Sequence, residues 1–573
     1  MNKRMNLLVR RYRVLRPLAA LCVAWLSISA VQAAADASKP GHAAIASASP
    51  YATQAGMEIL RAGGNAFDAA IAVSAALAVA EPTGSGLTGG GIYLLHRSSD
   101  GFEVAIDARE RAPGAASRDM FLDAQGNPVP KLSTDSALAA GIPGEPAGLA
   151  WLAAHYGKLP AARSLQPAIR LATQGFPLGR KVREVLLSKQ AQFAADPQVA
   201  RNFLRKGQVP AVGTLIKQPE LARTLQALAR DGIDSFYRGD LAAKLVSGVR
   251  AQGGIWTTQD LADYSAVERA PIVANYHGAR IVSAPPPSSG GIALLEALNI
   301  LSQFDLQQAD PITRKHLIVE AMRRAHRDRA VYLGDPDFVQ MPIGRLLSND
   351  YAAGLAASIR TDRATASSEL PGLGAGAPQG PQTTHFSIID AEGNRVAATI
   401  TLNFLFGSGR MIEGTGLFLN NEMDDFSIKP GVPNGYGLVG AEANAIAPGK
   451  RPLSSVTPSF VDTDTRSLVV GSPGGSFIIG MVLLATLDFV DNKGSAHDIV
   501  AAPRFHHQYL PDVLRYEPGA FSAAELDGLK TRGQNLELSD RQWGNMQAVI
   551  WDRSSGKMEA ASDPRGDGAG MTE

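Results

Sequence analysis

The feature that most restricts this chain is a step at residue 383, where a stretch unfit for any core gives way to a strand. Residues 361–382 hold Pro371, Gly372, Gly374, Gly376, Pro378, Gly380 and Pro381 and little that could be buried. Such a composition does not repay the entropy of ordering, so a mobile linker is expected over 361–382. Residues 383–390 then read as a strand, 391–393 as a short loop and 394–403 as the return strand. Pairing Asp390 with Asn394 sets Thr383 opposite Thr401. In that register one face carries Thr384, Phe386, Ile388, Val396, Ala398, Ile400 and Leu402. The other carries Thr383, His385, Ser387, Thr399, Thr401 and Asn403. A slip of one residue would mix the two sets. The apolar face should meet a helix layer. The polar face is either the lining of a site or the solvated side of an edge hairpin, and pattern alone does not separate these.

The linker favours the site. A threonine hydroxyl is a poor nucleophile without an adjacent base. An α-amino group, with a pKa of roughly 7.7–8.0, is a useful base near neutrality. Cutting the Gln382–Thr383 bond would place that base on the nucleophile itself.

Elsewhere, residues 52–60 are helical in pattern and stop at Gly63-Gly64. Asn65-Ala66-Phe67-Asp68 opens a second helix over 69–80, apolar nearly all round and therefore buried. The glycine-rich loop 82–91 lacks the Lys-Ser/Thr of a phosphate loop, so close packing of backbone is its expected use. Residues 467–476 read as strand, glycine turn and helix start, with Gly474 and Gly475 at the turn. Amides there can bind developing negative charge, or the segment is a tight turn and nothing more.

A chain of 573 residues, 45% hydrophobic and 19% charged, can bury a large core. Its net charge of +1 argues against a nucleic-acid partner. Lys3, Arg4, Arg10, Arg11, Arg13 and Arg16 precede an apolar run over 18–30 and small residues at Val31-Gln32-Ala33. This reads as a signal peptide over 1–33, which implies a periplasmic or secreted protein with no membrane attachment after its removal. The alternative is an uncleaved anchor, which the short apolar run disfavours. The only cysteine, Cys22, lies in that leader. A mature chain without cysteine has no thiol nucleophile, disulfide or thiolate metal site. Neither a metal nor a cofactor is called for.

Several motifs, taken in order, resemble the gamma-glutamyltranspeptidase family. They are Gln382-Thr383-Thr384-His385, Thr401-Leu402-Asn403, Asn420-Asn421-Glu422-Met423-Asp424-Asp425-Phe426, Arg451-Pro452-Leu453-Ser454-Ser455 and Gly471-Ser472-Pro473-Gly474-Gly475. Gly63-Gly64-Asn65-Ala66-Phe67-Asp68, Asp107-Ala108-Arg109-Glu110 and Tyr332-Leu333-Gly334-Asp335-Pro336 extend the resemblance over the N-terminal half.

The resemblance implies an α+β N-terminal-nucleophile fold, an αββα sandwich with two stacked antiparallel sheets. It implies cleavage between Gln382 and Thr383 into a large subunit, 34–382, and a small one, 383–573, interleaved in one catalytic domain as a heterodimer. Thr383 would be the nucleophile, Thr401 its support, and Gly474 and Gly475 the oxyanion hole. Arg109, Ser454 and Ser455 would hold a substrate α-carboxylate. Asn403, Glu422 and Asp425 would hold its α-ammonium, under a lid bearing Tyr436. The implied activity is γ-glutamyl transfer from donors such as glutathione to water, amino acids or peptides. The alternatives are a glutaryl or cephalosporin acylase of the same fold and an unprocessed periplasmic binding protein. Residues 84–91 depart from the family's usual asparagine-containing glycine loop.

Overall fold

The computed structural model describes residues 39–372 and 383–573. The proposed signal peptide and Gln382 lie outside them. The chain opens with β1 (Ala44–Ser47), α1 (Pro50–Arg61), α2 (Ala66–Ala80), β2 (Gly90–Arg97) and β3 (Phe102–Ala108). After a helical region come β4 (Val267–Arg269), β5 (Ile272–Tyr276), β6 (Ala279–Ser283), α3 (Gly290–Leu301) and α4 (Pro311–Tyr332). Beyond residue 383 follow β7 (Thr384–Ile389), β8 (Arg395–Thr401), β9 (Ser459–Asp462), β10 (Arg466–Gly471), α5 (Ile478–Val490), β11 (Gln547–Asp552), β12 (Met558–Ser562) and β13 (Ala569–Thr572).

Two antiparallel sheets result. One runs β13-β1-β7-β8-β2-β3-β4 and the other β12-β11-β10-β9-β6-β5. Between them lies a core that includes Ile92, Leu94, Ala397, Phe460, Val469 and Trp551. Outside the first sheet pack α1 and α2, and outside the second α3, α4 and α5. This is the expected four-layer αββα sandwich.

α2 shows how the sequence forces its place. Asn65 caps it, accepting from the Phe67 and Asp68 amides, and Asp68 returns a bond to the Asn65 amide. That reciprocal pair starts the helix at Ala66, earlier than its apolar run suggests. All its residues are buried, and helix contacts with β7 and β8 cover their apolar face.

The hairpin register is the one expected. Ile389 pairs with Arg395 and Thr384 with Ile400. β7 and β8 are internal strands, so the solvated-edge alternative is ruled out. The polar face turns instead toward the second sheet: His385 abuts Gly471, and the Ser387 hydroxyl donates to the Gln547 carbonyl at 3.1 Å. His385 is paired with Thr399 and Ser387, and burial lowers its pKa to about 3. It is a neutral strut between the sheets.

The glycine loop packs backbone on backbone, as expected. A β-carbon on Gly89 would lie 1.9 Å from the Thr401 carbonyl oxygen, which a side chain cannot do. The described part of the presumed linker is firmer than its composition implied. The Ser367 amide donates to Asp512 at 2.8 Å and its hydroxyl to the Tyr509 carbonyl at 2.6 Å, while Arg323 donates to that hydroxyl at 2.9 Å. Partners distant in sequence supply the ordering that local composition lacks.

Candidate active site

Thr383 stands one residue before β7, and Thr401 ends β8. Their hydroxyl oxygens are 3.5 Å apart, with Thr401 placed to donate. The same Thr401 oxygen accepts from the Asn403 amide at 2.8 Å, which aims its proton at Thr383. Thr383 has a φ of 144°, a region that side chains rarely adopt, so the backbone is strained at the proposed scissile junction.

A small cavity of about 20 Å³ lies against this pair. Its walls include Thr383, Thr401, Asn403, Glu422, Asp425, Tyr436, Ser454, Ser455 and Gly475. The structure therefore gathers nine of the expected residues around one space, roughly large enough for a water molecule. Tyr436 fills much of the rest. Its hydroxyl donates to the Asn403 carbonyl at 2.8 Å, and its ring packs tilted against Phe404 with centroids 4.7 Å apart. It also covers Gly475, where a β-carbon would lie 2.6 Å from the Tyr436 ring.

Two expected residues stand just behind the walls. Gly474 packs on Met481. Arg109 is fully buried and pairs with Glu422, with Asp425 at 3.2 Å and with Glu110 at 3.2 Å. It was expected to meet a ligand carboxylate, but here its partners are the acids assigned to the ammonium. The guanidinium Nε and Nη1 and the Glu422 Oε2 have no well-formed hydrogen bond. Arg109 and Glu110 are both fully buried, and so is Asp424. Asp424 accepts from Ser133 at 2.7 Å and from the Gly435 amide at 2.9 Å, so it ties down the Tyr436 segment.

Sequence reasoning missed Arg329. This buried residue of α4 donates to Ser455 at 3.2 Å and to Ser289 at 2.9 Å. Burial lowers its pKa to about 10, with Asp425 opposing. Its only signal was a cationic run on a helix, which reads equally well as a solvated face.

The electrostatics are unbalanced. Glu110, Glu422 and Asp425 face Arg109 and Arg329. Burial, then the neighbouring Glu422, raises the Asp425 and Glu110 pKa values well above the carboxylate range. A buried carboxyl with raised pKa next to other carboxylates is ionised more readily when a cation arrives. The acids here outnumber the arginines, so an added cation would favour their ionised forms. Ser454, Ser455 and Arg329 line the opposite need, a place for an anion.

The profile of the family described as Gamma-glutamyltranspeptidase matches residues 52–572. A protein named "Glutathione hydrolase proenzyme" from Escherichia coli (strain K12) is 44% identical over 528 residues, 91% of this chain and 90% of that one. The crystal structure of cephalosporin acylase from Bacillus halodurans superposes with a TM-score of 0.81 at 28% identity, covering 93% of this chain and 96% of that one. The Helicobacter pylori gamma-glutamyltranspeptidase structure gives a TM-score of 0.55 at 38% identity, covering 56% of this chain and 93% of that chain. With the profile match and the sequence likeness running over nearly the whole length, the chain belongs to the gamma-glutamyltranspeptidase family.

Proposed function

We propose that this chain is a self-processing γ-glutamyltransferase and glutathione hydrolase with Thr383 as nucleophile. The observation that carries the reading is the meeting of the Thr383–Thr401 pair with Glu422, Asp425, Ser454 and Ser455 around one cavity. A γ-glutamyl group has an ammonium and a carboxylate on one carbon. It matches a wall of acids beside a wall of hydroxyls backed by Arg329.

In the uncut chain Thr383 Oγ1 attacks the Gln382 carbonyl carbon. The C–N bond breaks, the amide nitrogen takes the hydroxyl proton, and water then hydrolyses the resulting ester. Thr383 is left with a free amine. In turnover that amine takes the Oγ1 proton as Oγ1 attacks the γ-carbonyl of a donor such as glutathione. The oxyanion faces the Gly474–Gly475 turn. The leaving amine receives the proton, and water, an amino acid or a peptide then releases the γ-glutamyl group from Thr383. Asn403, Glu422 and Asp425 hold the donor ammonium. Arg109 orients the two acids, and Ser454 and Ser455 hold the carboxylate. Tyr436 closes over the group. The two fragments, 34–382 and 383–573, stay together as a heterodimer. Among the described residues no helix is long and apolar enough to cross a membrane, and the leader over 1–33 supports a periplasmic or secreted location.

The acylase reading rests on the likeness to the Bacillus halodurans protein. One assay separates the two. Wild type should turn over γ-glutamyl-p-nitroanilide much faster than glutaryl-p-nitroanilide, which lacks the ammonium and leaves Glu422 and Asp425 unmatched. A preference for the glutaryl compound would reverse the assignment.

A further inference from the structure

Close to the Thr383 main chain sits an acid that the mechanism above does not use. Glu81 follows α2 at the entrance to the glycine loop. One of its carboxyl oxygens accepts from the Thr83 hydroxyl. The other, Oε2, is shut off from solvent and has no well-formed hydrogen bond. It faces the Thr384 hydroxyl, which is equally buried and also lacks a well-formed bond. Gly84 shows how near this acid is to the nucleophile. A β-carbon there would lie 2.6 Å from the Thr383 carbonyl oxygen and 2.9 Å from Glu81 Oε2. Only a glycine lets the main chain of Thr383 and the carboxyl of Glu81 share that space. The Thr383 nitrogen is three covalent bonds from that carbonyl oxygen.

We propose that Glu81 is a positioning residue for Thr383: its carboxyl fixes the main chain where β7 begins, and its charge state sets how readily the freed Thr383 amine gives up a proton. The proposal rests on Thr383 being the nucleophile. Protonated, Glu81 has a donor to offer the Thr383 carbonyl or the Thr384 hydroxyl. Ionised, it accepts from Thr384 and places a negative charge near the Thr383 main chain, which favours the ammonium form of the freed amine that cannot act as base. The two groups then titrate as a pair. Burial raises the Glu81 pKa to about 7, while the Thr83 and Thr384 hydroxyls and the Gly84 amide oppose it. The charged group facing it from the C-terminal segment is Asp567, which adds to the rise and is itself 3.6 Å from Arg180. Glu81 therefore changes charge in the range where the amine must lose its proton.

The test follows kcat against pH at saturating donor, so that groups needed only for donor binding drop out. Wild type and Glu81→Gln are purified, and the small fragment of each is sequenced from its N-terminus. A wild-type fragment that starts elsewhere than Thr383 would remove the nucleophile assignment itself, whatever Glu81 does. With Thr383 in place, Glu81→Gln keeps the shape and a donor but stays neutral. Its acid limb should move about one pH unit lower than wild type. Superimposed limbs, or a uniform loss of rate with no shift, overturn the proposal. Thr384→Val is the second variant, for the case in which Glu81→Gln gives no processed enzyme. It removes a donor to ionised Glu81, so the limb should move the same way by a smaller amount, and an unmoved limb counts against the proposal.

Discussion

The hydroxyl of Thr401 lies 3.5 Å from that of Thr383 and is held there by the Asn403 amide, which donates to it at 2.8 Å. One oxygen thus serves two partners at the open end of the hairpin. Thr401→Val keeps the branched shape but removes both bonds and leaves a buried amide without its acceptor. Unmade buried bonds cost about 1–3 kcal/mol, so processing or kcat should fall at least roughly tenfold. Thr401→Ser should restore most of it. Unchanged kinetics in the valine variant, by gel densitometry of cleavage and p-nitroaniline release, would contradict the hairpin geometry.

The charge imbalance gives a pH dependence with a definite sign. Asp425 has a raised pKa in the empty site, for reasons of burial and the adjacent Glu422. Donor ammonium favours the ionised carboxyl, so binding releases a proton. Affinity is weak while Asp425 is protonated and grows as pH rises through its free-enzyme pKa. KM for γ-glutamyl-p-nitroanilide should therefore fall as pH rises, and Asp425→Asn should flatten that fall while raising KM. Loss of one partner of a desolvated charge pair costs on the order of 2–5 kcal/mol.

Arg109 sits behind the wall rather than on it, and this alters what its removal does. Arg109→Met leaves three buried acids facing one another without their shared cation. Breaking a buried ion pair in this way destabilises by about 3–5 kcal/mol. Thermal unfolding should show the loss growing as pH rises and lessening as pH falls. A variant as stable as wild type at every pH would show that Arg109 does not hold the acids.

Gly475 tests the contact between turn and lid. Its φ is 56°, and a β-carbon would strike the Tyr436 ring at 2.6 Å. Gly475→Ala should fold, because the lid can yield, but both the turn amides and Tyr436 would shift. Loss of one oxyanion donor costs about 10²–10³ in kcat, and single-turnover rates should show a fall of that order.

Much of this was legible in the sequence because it is local. The alternation of Thr383 to Asn403 fixed the hairpin register, since one slip would bury the wrong face. The apolar run over 69–80 marked α2 as a buried helix, although the Asn65–Asp68 cap starts it three residues earlier. Arg329 and Glu81 were not legible. Each is a charged residue in or beside a helix, and only packing against distant segments decides that it is buried. The same holds for Ser367, whose anchors Arg323 and Asp512 lie on either side of the scissile region in sequence. The pairing of Arg109 with the acids was also out of reach, because the motif shows which residues gather but not how they share charge in an empty site.

In the first sheet, β1 lies between β13 and β7, and β8 lies against β2. Strands from before and after residue 383 are thus interleaved in one sheet. Cutting the chain at Gln382–Thr383 therefore makes two polypeptides but does not make two folding units. Each piece lacks the neighbours that complete its own strands, so neither has a stable shape to dissociate into. Processed enzyme mixed with a differently tagged, processed copy should never trade halves, however long the mixture stands, short of global unfolding.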